Sequence, residues 1–421
     1  MAKSPGHRYF EGDSHMKNIL IKASRLKNSG LNNFRLSFAL FFFTAMTTLA
    51  TLAAPALDVA QIDRERILKA AATALEQEPL TITKFHAALS KGGEHDFYSN
   101  ADYFWPNPNT TNGLPYVNRD GKTNPGNFVA HRQAMRQLSD AIAALGAAYE
   151  ITGDDRYAKK SADLLRVFFL DPATRMNPSL QYAQAVPGVS TGRSYGIIDT
   201  LHIVEIPKAI KAMEKSPAFP AADLAGLKQW FADYITWLTT SKNGIQEANA
   251  KNNHAVAFWL QVAVFAQFTG DEKELAECRR RFKEVFVPNQ MATDGSFPAE
   301  LARTKPYGYS IFQLDNMATL CQVLSTPDDN LWNFALPDGR GIRQAVAYLY
   351  PFLADKSNWP LKPDVQAWAG WPAREPSLLF AGLAFDNVKY LDLWQSLPAD
   401  PTNEEVRRNI AITQPILWLN H

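Results

Sequence analysis

Three polar clusters interrupt an otherwise apolar, helix-forming chain, and each carries side chains able to do chemistry. Asn252-Asn253-His254 stands directly before the apolar run Ala255–Phe268. Asparagine is a favoured helix N-cap, so the plainest role for this triplet is capping. Capping uses one residue, however, and leaves an amide and an imidazole to face something else. Asp294–Ser310 brings Arg303, Lys305, Tyr307 and Tyr309 together, and Pro298 and Pro306 break it into short rigid pieces. The alternative there is a surface loop with solvated basic residues. Asn177–Asp199 mixes Gln181, Tyr182, Gln184 and Arg193 with Gly188, Gly192 and Gly196. It either presents amides and a guanidinium to a ligand or simply connects two helices.

A fourth segment, Asp102–Pro125, is rich in Pro, Asn and Gly and so excludes regular structure. It nevertheless holds Tyr103, Trp105, Tyr116 and Arg119. Aromatics beside Asn and Arg suit a cleft that stacks on sugar rings; the alternative is a loop packed over helices. Other chemistries are poorly supported. There is no G-x-S-x-G elbow and no H-E-x-x-H helix. The eight histidines never fall four apart, so no helical two-histidine metal site is expected. No Gly-rich phosphate loop or dinucleotide fingerprint is present.

The elements that must position these clusters are helices. Asn127–Ile151 carries apolar residues at helical spacing, ends at Thr152-Gly153-Asp154, and is followed by a return helix, Asp155–Leu170. The construction recurs in Asn253–Phe268, Thr269-Gly270-Asp271 and Glu272–Val287. Gly suits the left-handed C-cap and Asp the next N-cap. Further helices are expected at Asp63–Glu78, Ile198–Glu214, Ala222–Thr240, Ser310–Leu324, Ile342–Leu353, Ser377–Phe385 and Asn403–Ile410. Strand signals are scarce. Helices apolar on several faces fit the inner ring of a closed toroid better than an open solenoid. The expected class is all-α, an (α/α) toroid of helix hairpins with long cleft-lining loops.

The chain of 421 residues has 43 Lys+Arg against 42 Asp+Glu, a net charge of +1, which excludes a strongly basic nucleic-acid binder. Two cysteines, Cys278 and Cys321, cannot form a disulfide framework. Lys17, Lys22, Arg25, Lys27 and Arg35 precede an uncharged run from Leu36 to Leu57, with small residues at Ala53-Ala54-Pro55-Ala56. That is the pattern of a secretory signal over residues 1–56, extended upstream of Met16, with a retained membrane anchor as the competing reading. It leaves one domain, 57–421, expected in the periplasm or secreted.

The segments together resemble the alginate-lyase superfamily, polysaccharide lyase families 5 and 38. The resemblance rests on Tyr103-Phe104-Trp105-Pro106, Gly113-Leu114-Pro115-Tyr116 and Arg119-Asp120-Gly121, then Tyr182-Ala183-Gln184 and Gly192-Arg193 with Gly196-Ile197-Ile198-Asp199. Asn252-Asn253-His254, Asp294-Gly295-Ser296, Glu300-Leu301-Ala302-Arg303 and Tyr309 complete it. It implies an (α/α) toroid and metal-free, cofactor-free β-elimination of a β-1,4-linked polyuronate. By the match, Asn253, His254 and Arg303 neutralise the uronate carboxylate, and Tyr309 serves as acid and base, with Arg303 lowering its pKa. Tyr103, Trp105, Tyr116, Arg119, Gln184, Arg193, Lys305 and Tyr307 become candidate substrate contacts. Tyr309 lies six residues after Arg303, where family 5 has seven, which favours the glucuronan-associated family 38 pattern and leaves alginate and glucuronan both open. The expected partner is an acidic polysaccharide, met by a monomer with no nucleic acid and no lasting membrane partner. Two readings compete: a hydrolase using carboxylates such as Asp102 and Glu300, and a non-catalytic polyuronate-binding protein.

Overall fold

The computed structural model describes residues 57–419, so the proposed signal segment lies outside the described residues. The chain runs through α1 (Arg64–Leu75), then the short strands β1 (Tyr98–Asn100), β2 (Phe104–Trp105) and β3 (Val117–Asn118). The hairpin of α2 (Ala130–Thr152) and α3 (Asp155–Leu165) follows, then β4 (Tyr182–Ala185), α4 (Glu205–Met213), α5 (Ala221–Thr240) and α6 (Lys242–Ala248). The second hairpin is α7 (Asn253–Thr269) and α8 (Glu272–Arg281), followed by α9 (Pro306–Leu324), α10 (Ile342–Ala354), α11 (Pro376–Ala384) and α12 (Val388–Ser396). The architecture is all-α, an (α/α) toroid. Nearly every residue of α7 and α9 is buried, as inner-ring helices require.

Both hairpins close as the sequence predicts. Gly153 and Gly270 take φ of +68° and +78°, and the Asp154 and Asp271 carboxylates cap the return helices at Arg156 N and Glu274 N. Each return helix then widens into one π turn, Arg166–Leu170 and Phe282–Phe286. Several boundaries differ from expectation. The α2 helix starts at Ala130 rather than Asn127, because the Asn127 amide donates to the carbonyls of Ala101 and Asp102. Ser194–Val204 is a 3₁₀ segment, and α4 opens only at Glu205, which places Pro207 among the first-turn positions that need no N–H partner. The α9 helix begins at Pro306, with proline in its favoured first position, so Tyr307 and Tyr309 are helical. The expected Asn403–Ile410 helix is only Glu404–Arg407, and α6 and α12 are additional.

Two small sheets brace the loops. β1 pairs in parallel with β4 through Tyr98 and Tyr182, and β2 pairs antiparallel with β3. The C-terminal segment is fixed to α4 by buried Glu205, whose carboxylate accepts from Thr413 N (2.8 Å), Thr413 Oγ1 (2.6 Å), Gln414 N (2.9 Å) and Trp418 Nε1 (3.3 Å). A second buried carboxyl, Asp315 on α9, interacts with that of Glu375, the residue before α11. Its acceptor also takes Ser377 N at 3.2 Å.

Two outcomes follow from this packing. A Cβ on Gly146 of α2 would lie 2.5 Å from the Ala209 Cβ of α4. Gly146→Val is therefore expected to cost about 1–3 kcal/mol, read as a lowered urea midpoint at unchanged m. Burial pushes Asp315 up to about 6 from its ordinary 3.8. The folded state thus holds a proton that the unfolded chain releases earlier, and this stabilisation is full at low pH and lost as pH rises through about 6. Asp315→Asn should flatten the fall in stability across that window, and an unchanged slope in urea titrations would refute it.

Candidate active site

The N-terminus of α7 is built as a double fixture. Asn252 caps it, its side chain accepting from His254 N at 3.4 Å. Asn253 is buried and sends both its backbone N–H (2.8 Å) and its side-chain Nδ2 (2.5 Å) to the carboxylate of Glu300. His254 places Nδ1 2.5 Å from Glu247 Oε1 on α6. A carboxylate at that distance fixes a ring hydrogen on Nδ1 and orients the imidazole, and among the described residues Nε2 has no hydrogen-bond partner. Tyr195 meets the imidazole edge-on at 5.0 Å.

Tyr309 sits in the first turn of α9 and faces a ring of charge. Its hydroxyl lies 2.8 Å from the Tyr103 hydroxyl and accepts from Arg303 Nη2 at 3.3 Å. The Arg303 guanidinium also lies 4.4 Å from the Tyr309 ring. The other side of that guanidinium is occupied by Asp120, at 2.8 Å and 3.3 Å, and Thr304 Oγ1 donates to the same carboxylate at 2.9 Å. The Tyr103 hydroxyl in turn receives Lys305 Nζ and Arg408 Nη2, each at 2.9 Å. Lys305 itself is buried and paired with Glu405.

Behind these groups runs a buried ion ladder. Asp102 contacts Arg408 at 2.6 Å and Arg132 at 2.7 Å, and Arg132 continues to Asp199 at 3.1 Å. Burial alone would raise the Asp102 pKa, but the two arginines overcome it and hold the carboxyl at about 2. Asp199, equally buried but with weaker compensation, is raised. Gln184, at a φ of +47°, orders the opposite wall. Its N–H donates to Ser99 Oγ (2.8 Å), its carbonyl accepts Arg193 Nε (3.0 Å) and its Oε1 accepts Arg193 Nη2 (3.1 Å). Arg193 also stacks on Phe104 and Tyr195, and among the described residues no carboxylate pairs with it.

These walls enclose a cavity of about 490 Å³. Asn253, His254, Arg303 and Tyr309 line it together with Tyr103, Gln184 and Arg193. Other sequence candidates lie elsewhere. Trp105 donates Nε1 to Lys122 O (3.0 Å) and is covered by Arg119 at 4.9 Å, so the two pack on each other within the loop, away from the cavity. Tyr116 is likewise off the cavity; its N–H ties the loop to Pro187 O at 3.0 Å. Lys305 acts beneath Tyr103 and does not form a wall. Tyr307 is fully buried; its hydroxyl donates to Phe352 O, and its ring meets Trp359 and Trp368. The reason is helical geometry: two residues on is about 200° around α9, so Tyr307 and Tyr309 point to opposite sides.

Arg303 does pull the Tyr309 pKa down, as expected, but it does not decide the net shift. Burial, reinforced by Tyr103, raises it well above the ordinary tyrosine value against the opposing pull of Arg303 and Arg408. The site therefore holds Tyr309 as the neutral phenol. The hydrolase pair fails on geometry as well. Glu300 is buried on Asn253 and off the cavity, and Asp102 at about 2 has no proton to donate near neutral pH. Sequence reasoning missed Arg132, Glu247, Arg408 and Tyr195. Glu247 precedes the Asn-Asn-His triplet and was readable as a carboxylate backing a histidine, whereas Arg408 lies a hundred residues beyond the last cluster and gave no signal.

The alginate lyase family model matches residues 82–359. The crystal structure of an alginate lyase from Bacteroides ovatus is 32% identical, with a TM-score of 0.77 over 86% of this chain and 94% of that one. Alginate lyase A1-III from Sphingomonas species A1, as a histidine-to-alanine variant complexed with a tetrasaccharide, shares the fold at 12% identity, a TM-score of 0.51, and coverage of 84% and 94%. No match was found among curated protein sequences. With its helical toroid, its cavity and these likenesses, the chain belongs to the alginate lyase family and is a polysaccharide lyase.

Proposed function

We propose that the chain depolymerises a β-1,4-linked polyuronate, polymannuronate or glucuronan, by β-elimination at the cavity around Tyr309. The observation that carries this is the Tyr309 hydroxyl held by Arg303 and Tyr103 in the same cavity as Asn253 and His254. Elimination removes the proton at C5, beside a carboxylate that already carries negative charge. That carboxylate must be neutralised as charge builds on it. Asn253, His254 and Arg303 are the assigned group. Arg303 is already occupied by Asp120, so unpaired Arg193 is the natural supplement. In mannuronate and glucuronate the C5 hydrogen and the C4 oxygen share one face of the ring. A single phenol can then take the first and protonate the second as the C4–O bond breaks and the C4–C5 double bond forms.

Tyr309 starts neutral, so its own proton must leave before it can act as base. That proton passes to water in the cavity, and the Tyr103 hydroxyl, held by Lys305 and Arg408, can then donate to the phenolate left behind. If the two leaving groups lie on opposite faces, as in guluronate, His254 Nε2 is the better base and Tyr309 the acid. The uncharged run before Asp58 supports our placing the enzyme in the periplasm or outside the cell, where such polymers occur.

The first assay mixes a protein lacking residues 1–56 with polymannuronate, polyguluronate, glucuronan and hyaluronan, and follows unsaturated product by ultraviolet absorbance. A rise on polymannuronate or glucuronan is expected; reducing ends without absorbance would mean hydrolysis, and binding without either would mean a carrier. Tyr309→Phe should lower kcat by at least about 100-fold with the fold intact. If Tyr309 is the base, kcat/KM should still be climbing above about pH 8, because burial holds its proton. A plateau below that pH would transfer the base role to the imidazole.

A further inference from the structure

Behind the catalytic cavity lies a second one of about 610 Å³, and His202 forms part of both walls. The two are back to back along shared elements. On α2, Arg132 lines the first and Arg136, one turn on, lines the second. On the C-terminal segment Arg408 enters the first and its neighbour Arg407 the second. The far end of the second cavity is internally neutralised, since Arg66 and Arg374 both pair with Asp63, at 2.9 Å and 2.7 Å.

The near end is not balanced in this way. Lys69 has no acidic partner among the described residues. Arg136 makes its one ion pair among the described residues with Glu404, at 2.5 Å. Arg407 makes only long contacts, 3.9 Å to Asp140 and 3.7 Å to Glu404. Three cations thus face two carboxylates, Asp140 and Glu404. Two arginine forks with a lysine recognise a carboxylate. Thr73 and Thr402 offer hydroxyls, and Ile410 and Ile412 an apolar floor, the mixed wall that a sugar ring needs.

We propose that this rear cavity is a second, non-catalytic site for a carboxylated saccharide, a short uronate oligomer such as the enzyme's own product. The choice of uronate rests on the function proposed above; the presence of an anionic-sugar site does not. The test uses full-length protein carrying Tyr309→Phe, titrated calorimetrically with saturated trimannuronate, with citrate and cellotriose as probes of charge alone and sugar alone. Two binding events are expected for trimannuronate, the weaker belonging to the rear cavity. Adding Lys69→Glu with Arg407→Glu should weaken that event at least about tenfold and leave the tighter one within twofold. Lys69→Gln with Arg407→Gln, milder changes at half-exposed or exposed positions, should weaken it in the same direction and guards against misfolding of the reversal variant. A single event, or a weak event untouched by both variant pairs, overturns the proposal. Equal binding of citrate would reduce the site to a general anion site and overturn the saccharide assignment. A rear event in the variant, with no cleavage of any tested polymer by the unsubstituted protein, would sink the substrate proposed above and leave this site standing.

Discussion

Asp102 is the residue on which the cleft depends. Its carboxylate is shared by Arg132, from the long helix α2, and Arg408, from the C-terminal segment, while its backbone carbonyl accepts from Asn124 N and the Asn127 side chain. One buried group thus joins the aromatic loop, the helical ring and the chain's far end. Removing one member of such a network leaves the others buried and unpaired, which typically costs about 3–5 kcal/mol. The arrangement favours specificity of geometry over stability, since a well-packed apolar cluster could hold the same elements at least as firmly.

The chemistry inherits its electrostatics from that ladder. Arg408 and Lys305 converge on the Tyr103 hydroxyl, and Tyr103 is the immediate neighbour of the Tyr309 hydroxyl. Tyr309 is therefore tuned from three directions: burial raises its pKa, a neighbouring phenol adds to this, and arginines oppose both. The result is an acid at rest beside a preorganised set of cations, which is what a reaction that develops charge on an anionic sugar needs. His254 is oriented by a different device, a carboxylate on the far nitrogen, so the two candidate proton carriers are positioned independently.

Much of this was legible in the sequence, and for identifiable reasons. The helix hairpins were readable because Gly-Asp at a turn fixes both a C-cap and an N-cap locally. Asn253, His254, Arg303, Tyr309, Gln184 and Arg193 were found because polar clusters beside apolar helices are rare and local. What failed was orientation. Tyr307 stood beside Tyr309 as a candidate substrate contact, but the helix begins at Pro306, which turns alternate residues apart. Trp105 and Arg119 looked like sugar contacts but satisfy each other. Pairings across long separations, Asp102 with Arg408 or Arg303 with Asp120, leave no trace in a single sequence, because the partners' spacing is set by the whole fold.

The separation between those partners also bears on folding. The hydrogen bond between Tyr103 and Arg408 closes a span of 305 residues, and that between Tyr103 and Tyr309 one of 206. Contacts of such long range form only after the intervening helices have docked, since loop-closure entropy opposes them until then. Helical hairpins, with their local contacts, assemble first. The candidate site is accordingly among the last features to appear as the chain folds, and a partly folded intermediate, however helical, lacks it. Helical content and activity should thus recover on different clocks during refolding, with activity the later of the two.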